Sequence, residues 1–374
     1  MTITYKDSGV DIQLGDSASQ ILYEAARATW ANRAGRLGEV LAPFDDFTGL
    51  RMMNVAGLPS GTVLGMGFDG VGTKIEIGER LAKHDTVAYD LLAMVCDDAV
   101  VRGGEPVLVG TVLDINTLGG EKDSCLPFIR QLAEGYINAA REARVAVING
   151  EIAELGVRVR GFGPFNYNWS AGVVWFARKD RMFTGFEIEP GDTLVGLREK
   201  GFRSNGFSLI RRVLTQAFGG AWHTHFWNGQ NLGELVLTPS QIYTRAIVEM
   251  IGGVEGEPRA KIHGLAHITG GGIPGKLGRV LKPKKLGAQI NAPFSPEEIL
   301  LYCQKLGKVS DEEAYHTWNM GQGMIIITPE PEKAMTVAHE YHVEARIIGS
   351  VTNKPGLTIV SQGIFQTNKI LTFA

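Results

Sequence analysis

The sequence predicts an α/β protein of two domains, and three observations carry that prediction. Its 374 residues exceed what one compact core organises. Short β-rich runs alternate with helical periodicities, the pattern of sheets covered on both faces by helices. Hydrophobic residues make up 44% and charged residues 21%, a globular balance that excludes disorder on the scale of a domain.

The elements read in order as follows. Residues 1–16 lack an amphipathic period and form an extended arm. Helical spacing runs over 17–30, with Ile21, Ala25 and Thr29 on one side. A strand at 62–66 leads into a glycine-rich turn, and 85–101 is a mostly buried helix ending near Gly103 and Gly104. A strand at 106–113, a helix at 126–143 and strands at 145–148 and 173–177 follow. The pattern lapses over 181–192, punctuated by Pro190 and Gly191, which divides the chain into domains 1–182 and 183–374. The second set comprises strand 193–196, helices 207–215 and 239–251, helix 295–306, strand 323–327, helix 331–342 and strand 345–349. Residues 363–374 read as an appended tail.

Lysine and arginine number 37 against 40 aspartates and glutamates, a net charge of −3. That gives no drive toward nucleic acid or anionic lipid, yet leaves room for a local basic pocket holding a phosphorylated small molecule. Cys96, Cys125 and Cys303 form no CxxC pair, which argues against a disulfide framework or a cysteine-rich zinc site. The N-terminus has no apolar signal core, and no run reaches the ~18 residues of a membrane span. A cytoplasmic location is therefore expected. Glycine is the outlier at 48 residues, about twice its usual share of ~7%. Glycines in such excess serve positive φ or close backbone approach, often to phosphate.

Two glycine motifs fail as nucleotide fingerprints. Gly65 to Gly70 is a literal GxGxxG, but Asp69 puts a carboxylate where a pyrophosphate belongs and Gly72 discourages the following helix. GGGIPGKL (270–277) lacks the Mg2+-binding hydroxyl of a P-loop, and Pro274 removes a donor. DGVGTK (69–74) is more informative: a carboxylate, two glycines, a hydroxyl and a lysine suit Mg2+–polyphosphate as well as they suit a capped turn. Asp97 and Asp98 interrupt an apolar helix, a cost that calls for a metal, a cationic partner or solvent. Glu151 and Glu154 follow a strand, where α/β sheets place ligands, or simply open a helix. His223, His225, His339 and His342 lack zinc-site spacing and read as structural or exposed, and Phe226 and Trp227 as packing residues.

Together the ordered motifs YKDSGVD (5–11), DGVGTK (69–74), CDD to GGEP (96–106), NGEIAELG (149–156), RSNGFSLIR (203–211), LTPSQIY (237–243), HITGGGIP (267–274) and NMGQGM (319–324) resemble the aminoimidazole ribonucleotide synthetase, or phosphoribosylformylglycinamidine cyclo-ligase, family. The resemblance covers residues 5–352. It implies an N-terminal α/β domain whose sheet pairs with that of a second copy in a homodimer, a C-terminal α/β domain, and an ATP site without a P-loop. It further implies ATP-dependent closure of the imidazole ring of a phosphorylated substrate, with release of ADP and phosphate.

Carried onto this chain, the resemblance assigns Mg2+ to Asp69 and Asp98 and phosphate neutralisation to Lys74. Lys6, Gly70, Gly72 and Thr73 join the ATP side, with Lys6 closing over the nucleotide. Glu151, Arg203, Ser204, Asn205, Gly206, Gly270, Gly271 and Gly272 line the substrate side, with His267 a polar contact there. The chain departs from the family pattern at Asn149, Ile152, Asn168, Asp97 and Arg203, the last standing where a His is usual. An arginine there cannot exchange a proton, so it is expected to bind the acceptor. A same-fold kinase or synthetase with another small acceptor is the alternative, and a non-catalytic nucleotide-binding module a more distant one.

Overall fold

The computed structural model describes residues 11–42, 51–120 and 122–373. Lys6 lies outside them. Helix α1, Ile12–Thr29, starts earlier than expected because the Asp11 carboxylate accepts the N–H groups of Gln13 and Leu14. Residues 12–16 are therefore the first turn of a helix, correcting the extended arm.

Four strands form the first sheet: β1, Thr62–Gly70, β2, Glu105–Ile115, β3, Ala146–Glu154, and β4, Tyr167–Arg178, in the order β1-β4-β2-β3. β1 runs antiparallel to β4 from Thr62 opposite Arg178 to Gly70 opposite Ser170, while β2 and β3 are parallel. Helices α2, Ile75–Leu81, α3, Val87–Val100, and α4, Leu126–Ala143, follow the connections. Leu91, Val95, Ile129 and Leu132 of α3 and α4 join Val109, Leu113, Val147 and Val173 of the sheet in one core. The opposite face is covered only in part: Leu108, Ala146 and Phe176 are buried there with Leu37 and Val254, whereas Leu64, Met66 and Phe68 of β1 are 56%, 57% and 75% exposed, and Val112 of β2 is 47% exposed. This sheet is thus covered fully on one face and only in part on the other.

The second sheet is covered on both faces. Its strands are β5, Thr193–Arg198, β6, Gly264–His267, β7, Gly287–Ile290, β8, Gln322–Thr328, β9, Ala345–Thr352, β10, Gly356–Val360, and β11, Ile370–Phe373, in the order β6-β8-β5-β9-β7-β10-β11. Every residue of β8 is buried. Ile325 and Ile327 enter one core with Leu277 and Ile299, whereas Met324 and Ile326 enter another with Ala246 and Ala334, as the period of two dictates. The covering helices include α5, Phe207–Phe218, α6, Leu232–Leu237, α7, Thr244–Ile251, α8, Gly272–Leu281, α9, Glu298–Gly307, α10, Asp311–Thr317, and α11, Pro331–Glu340.

The helix expected over 239–251 begins only at Thr244, as α7. Residues between α6 and α7 spend their polar groups on the other half of the chain: the Thr238 carbonyl accepts Lys74 Nζ at 2.6 Å, and Ser240 Oγ donates to Asp90 at 2.5 Å. Pro239 also disfavours helix at the residue before it. The expected tail is instead a sheet strand, since β11 pairs antiparallel with β10 and buries Leu371 and Phe373. The approach to β11 is tied to Asp311, which accepts Gln304 Nε2, Ser361 Oγ and the N–H groups of Phe365 and Gln366. Asp311→Ala is expected to lower unfolding stability by about 3 kcal/mol or more, through donors left buried without an acceptor. Urea denaturation reads this directly. An unchanged midpoint would return 363–374 to the status of a tail.

Candidate functional site

The site forms where the ends of β1, α3 and β6 meet the turns before α5 and α8. Asp69, at the end of β1, accepts the Gly70 N–H at 2.7 Å. Burial raises its carboxyl above the ordinary range; the Gly70 bond opposes that, and the charge of Asp98 reinforces it. The two carboxylates therefore sense each other.

Asp97 and Asp98 divide the work that adjacent positions on a helix allow. Asp97 is fully buried and accepts Tyr243 N, Thr244 Oγ1 and Arg203 Nη2 at 3.0, 2.8 and 3.1 Å. Asp98 is half exposed and lies 2.6 Å from His267 Nδ1. Burial alone would raise the Asp98 carboxyl, but the His267 hydrogen bond and the charges of Lys276 and Arg203 outweigh it and hold Asp98 below its ordinary value. Asp98 and His267 line a cleft of about 410 Å³.

Arg203 is the centre of the constellation and contradicts its expected role. It is 1% exposed and adopts φ of 57°, a left-handed conformation that a non-glycine residue keeps only when its surroundings fix it. Its Nη1 donates to Glu199 Oε2 at 2.6 Å and to the Gln241 carbonyl at 2.9 Å. Its Nη2 reaches Asp97 and, at 2.6 Å, His267 Nε2. A guanidinium cannot accept a hydrogen bond, so His267 Nε2 is the acceptor and Nδ1 carries the hydrogen toward Asp98. Arg203 is thus neither on the surface nor free to bind an acceptor. It sets the tautomer of His267, which in turn orients Asp98, and His267, with both nitrogens engaged, positions rather than contacts substrate.

Lys74 is corrected too. It is wholly buried, with Nζ 2.7 Å from Asp90 Oδ1 and its cation over the Phe207 ring. A phosphate oxygen would have to displace that ion pair. Glu151 is exposed inside β3, opposite Val112, because the strand runs on to Glu154. Its expected place beyond the strand end is corrected, and Glu154 is spent on the Leu118 N–H.

The two glycine-bearing turns do come together. A Cβ on Gly270 would lie 3.2 Å from Asn205 Oδ1. Gly206, with φ of 78°, has no room for a side chain against Trp318, and Gly272, with φ of 58°, would clash with the Tyr315 carbonyl. Gly271 has φ of 92° and Gly72 φ of 70°. Ser204 Oγ is buried and without a hydrogen-bond partner, an orphan aimed into this region that a ligand would satisfy. The Arg203–His267 contact was missed from sequence because 64 residues separate its partners.

Arg203→Lys keeps the charge but loses the fork. It is expected to lower kcat by about tenfold or more while both KM values stay within about twofold. Steady-state kinetics with each substrate varied check this; unchanged kcat would remove the relay from Arg203 through His267 to Asp98.

Family models of the AIR synthase related protein match the chain twice: the N-terminal domain over residues 52–168 and the C-terminal domain over 189–362. Phosphoribosylformylglycinamidine cyclo-ligase of Carboxydothermus hydrogenoformans is 32% identical over 366 residues, covering 96% of this chain and 99% of the relative. The enzyme of the same name from Sorangium cellulosum is 34% identical over 362 residues, with 94% and 96% covered. Among solved structures, hydrogenase maturation protein HypE in complex with ATP aligns with a TM-score of 0.54 at 14% identity, covering 83% of this chain and 85% of that one, a likeness of fold. Matched in both halves and in order, the chain belongs to the AIR synthase related protein family.

Proposed function

We propose that this protein is a phosphoribosylformylglycinamidine cyclo-ligase, converting formylglycinamidine ribonucleotide and ATP to aminoimidazole ribonucleotide, ADP and phosphate. The carrying observation is the near-full-length kinship with enzymes of that name. The site suits the chemistry. An amide oxygen leaves poorly, so the formyl oxygen first attacks the γ-phosphorus and ADP departs. The amidine nitrogen then attacks the formyl carbon, the C–O bond breaks, and phosphate carries the oxygen away as the nitrogen gives up its proton. Both steps ask chiefly for positioning and charge neutralisation.

Asp69 and Asp98 suit Mg2+, a hard cation that keeps several waters and takes one or two carboxylates beside substrate phosphates. Among the described residues no group of three or more His, Cys, Asp or Glu is placed to hold a metal ion, so a cation on these two carboxylates would need substrate phosphates and water to complete its shell. When bound, Mg2+ neutralises charge on the transferring phosphoryl group. Arg203 and His267 hold Asp98 ionised and aimed. Gly70, Gly72 and Thr73 on one side, and Ser204, Asn205, Gly206 and Gly270 to Gly272 on the other, let backbone approach the ligands closely. Lys6 belongs to the ATP side of the same reading, and the division into domains 1–182 and 183–374 separates the two sheets.

The exposed part of the first sheet supports a homodimer, because Leu64, Met66 and Phe68 of β1 form an apolar row and Val112 of β2 is exposed on the same face, with β4 between the two strands. Three free, buried cysteines suit a reducing, cytoplasmic setting. No helix among the described residues is long and apolar enough to cross a membrane.

Incubation with formylglycinamidine ribonucleotide and Mg2+-ATP should yield ADP and the imidazole product in equal amounts. ADP without imidazole would transfer the protein to another acceptor. Asp69→Asn and Asp98→Asn should each lower kcat by about two orders of magnitude or more with an unaltered circular dichroism spectrum. Wild-type turnover in both variants would move the metal elsewhere. Light scattering should return a dimer for the wild type and a monomer for Phe68→Arg; a wild-type monomer would leave the patch unexplained.

A further inference from the structure

The cleft beside Asp98 continues away from the carboxylates, between the end of α3, residues 183–185 and α8. Three cationic side chains line it: Arg102, four residues beyond Asp98, and Lys276 and Arg279, one turn apart on the same side of α8. Among the described residues none of the three makes an ion pair or a hydrogen bond. Arg198, Arg203, Arg211 and Arg259, by contrast, are paired with carboxylates. In a chain of net charge −3, three uncommitted cations converging on one concavity are not surplus charge. They are a counter-charge awaiting an anion.

The cleft walls are fixed in advance. Gly103, with φ of 83°, sits so close to the Arg181 carbonyl that a Cβ would approach it to 2.8 Å. Gly185, with φ of 91°, would bring a Cβ to 2.7 Å from the Val280 carbonyl. Phe183 N–H donates to the Arg102 carbonyl at 3.3 Å. The connecting segment is thus pressed against the α3 end on one side and α8 on the other, which fixes the backbone from which the cations project. A volume of about 410 Å³ is within the usual range for small-molecule pockets.

We infer that Arg102, Lys276 and Arg279 form the subsite for the phosphate monoester of the acceptor substrate. This deepens the cyclo-ligase reading and rests on it for the identity of the acceptor. Two guanidinium forks and a mobile ammonium match a tetrahedral dianion, which has three terminal oxygens to satisfy. The nucleotide's phosphates have their own counter-charge in the metal that Asp69 and Asp98 suit. Lys276, whose charge is felt at both carboxylates, marks where the two anionic regions adjoin. The acceptor would then lie with its phosphate in the cleft and its formyl group toward Asp98.

The test compares the two phosphate sources. Arg102→Gln and Arg279→Gln should each raise KM for formylglycinamidine ribonucleotide by about tenfold or more and leave KM for ATP within about twofold. Matched urea midpoints would show that the variants are folded. A readout free of turnover is calorimetric titration of wild type and the double variant with ribose 5-phosphate and, separately, with Mg2+-ATP. Ribose 5-phosphate binding that the double variant loses, with ATP binding retained, supports the subsite. If that result accompanies a wild type that makes no imidazole product, the subsite stands and the cyclo-ligase reading falls. Loss of ATP binding in the same proportion assigns the cations to the nucleotide and overturns the proposal. So does ribose 5-phosphate binding that is absent in the wild type or equal in both proteins.

Discussion

A guanidinium taken wholly out of water is costly unless its charge is met by acidic and hydrogen-bonding partners, and the arrangement of this molecule follows from which groups meet Arg203. Glu199 and the Gln241 carbonyl satisfy it from the C-terminal half. Asp97 satisfies it from α3, in the N-terminal half. His267 accepts from the same Nη2 and passes the orientation to Asp98, while Nε of Arg203 is buried without a partner. Removing Glu199 or Asp97 leaves buried positive charge short of an acidic partner. The two sheets are therefore held in one relative placement by electrostatics with strict geometry, not by apolar contact alone, which tolerates sliding.

The second buried pair repeats this logic. Lys74 and Asp90 neutralise each other, yet Lys74 also needs the Thr238 carbonyl and Asp90 the Ser240 hydroxyl. Both come from the extended segment between α6 and α7. That segment cannot be helical without withdrawing them. The DGVGTK turn is thus anchored from beneath by its lysine while its aspartate stays at the site, which explains how a glycine-rich turn with no side-chain bulk stays in place.

Much of the fold was legible because it is written locally. The spacing over 126–143 coincides with α4, whose amphipathic face and early Pro127 are sequence-local signals. Asp97 and Asp98 stood out because carboxylates are costly in an apolar helix, and the structure gives each a separate solution. Whatever depended on a distant partner was not legible. The last strand is four residues long and exists only by pairing with β10. Lys74 looked like a phosphate ligand because Asp90 and Thr238 lie 16 and 164 residues away. The α1 start was obscured by reading Asp11 as part of an arm instead of a cap. Arg102 and Arg279 carry no local signal, since an isolated arginine in a helix or turn reads as solvated charge.

The contacts that assemble the site span the chain: Arg203 to Asp97 bridges 106 residues, Thr244 to Asp97 bridges 147, and His267 to Asp98 bridges 169. Non-local closure of this kind is entropically expensive and comes late in folding. Each half can therefore acquire its sheet and helices before any site exists, and a chain with near-native secondary structure is still chemically incompetent until the halves dock. The same seam, polar and dependent on exact partners, is where partial opening would start. Loss of catalysis then precedes loss of secondary structure on the way to the unfolded state.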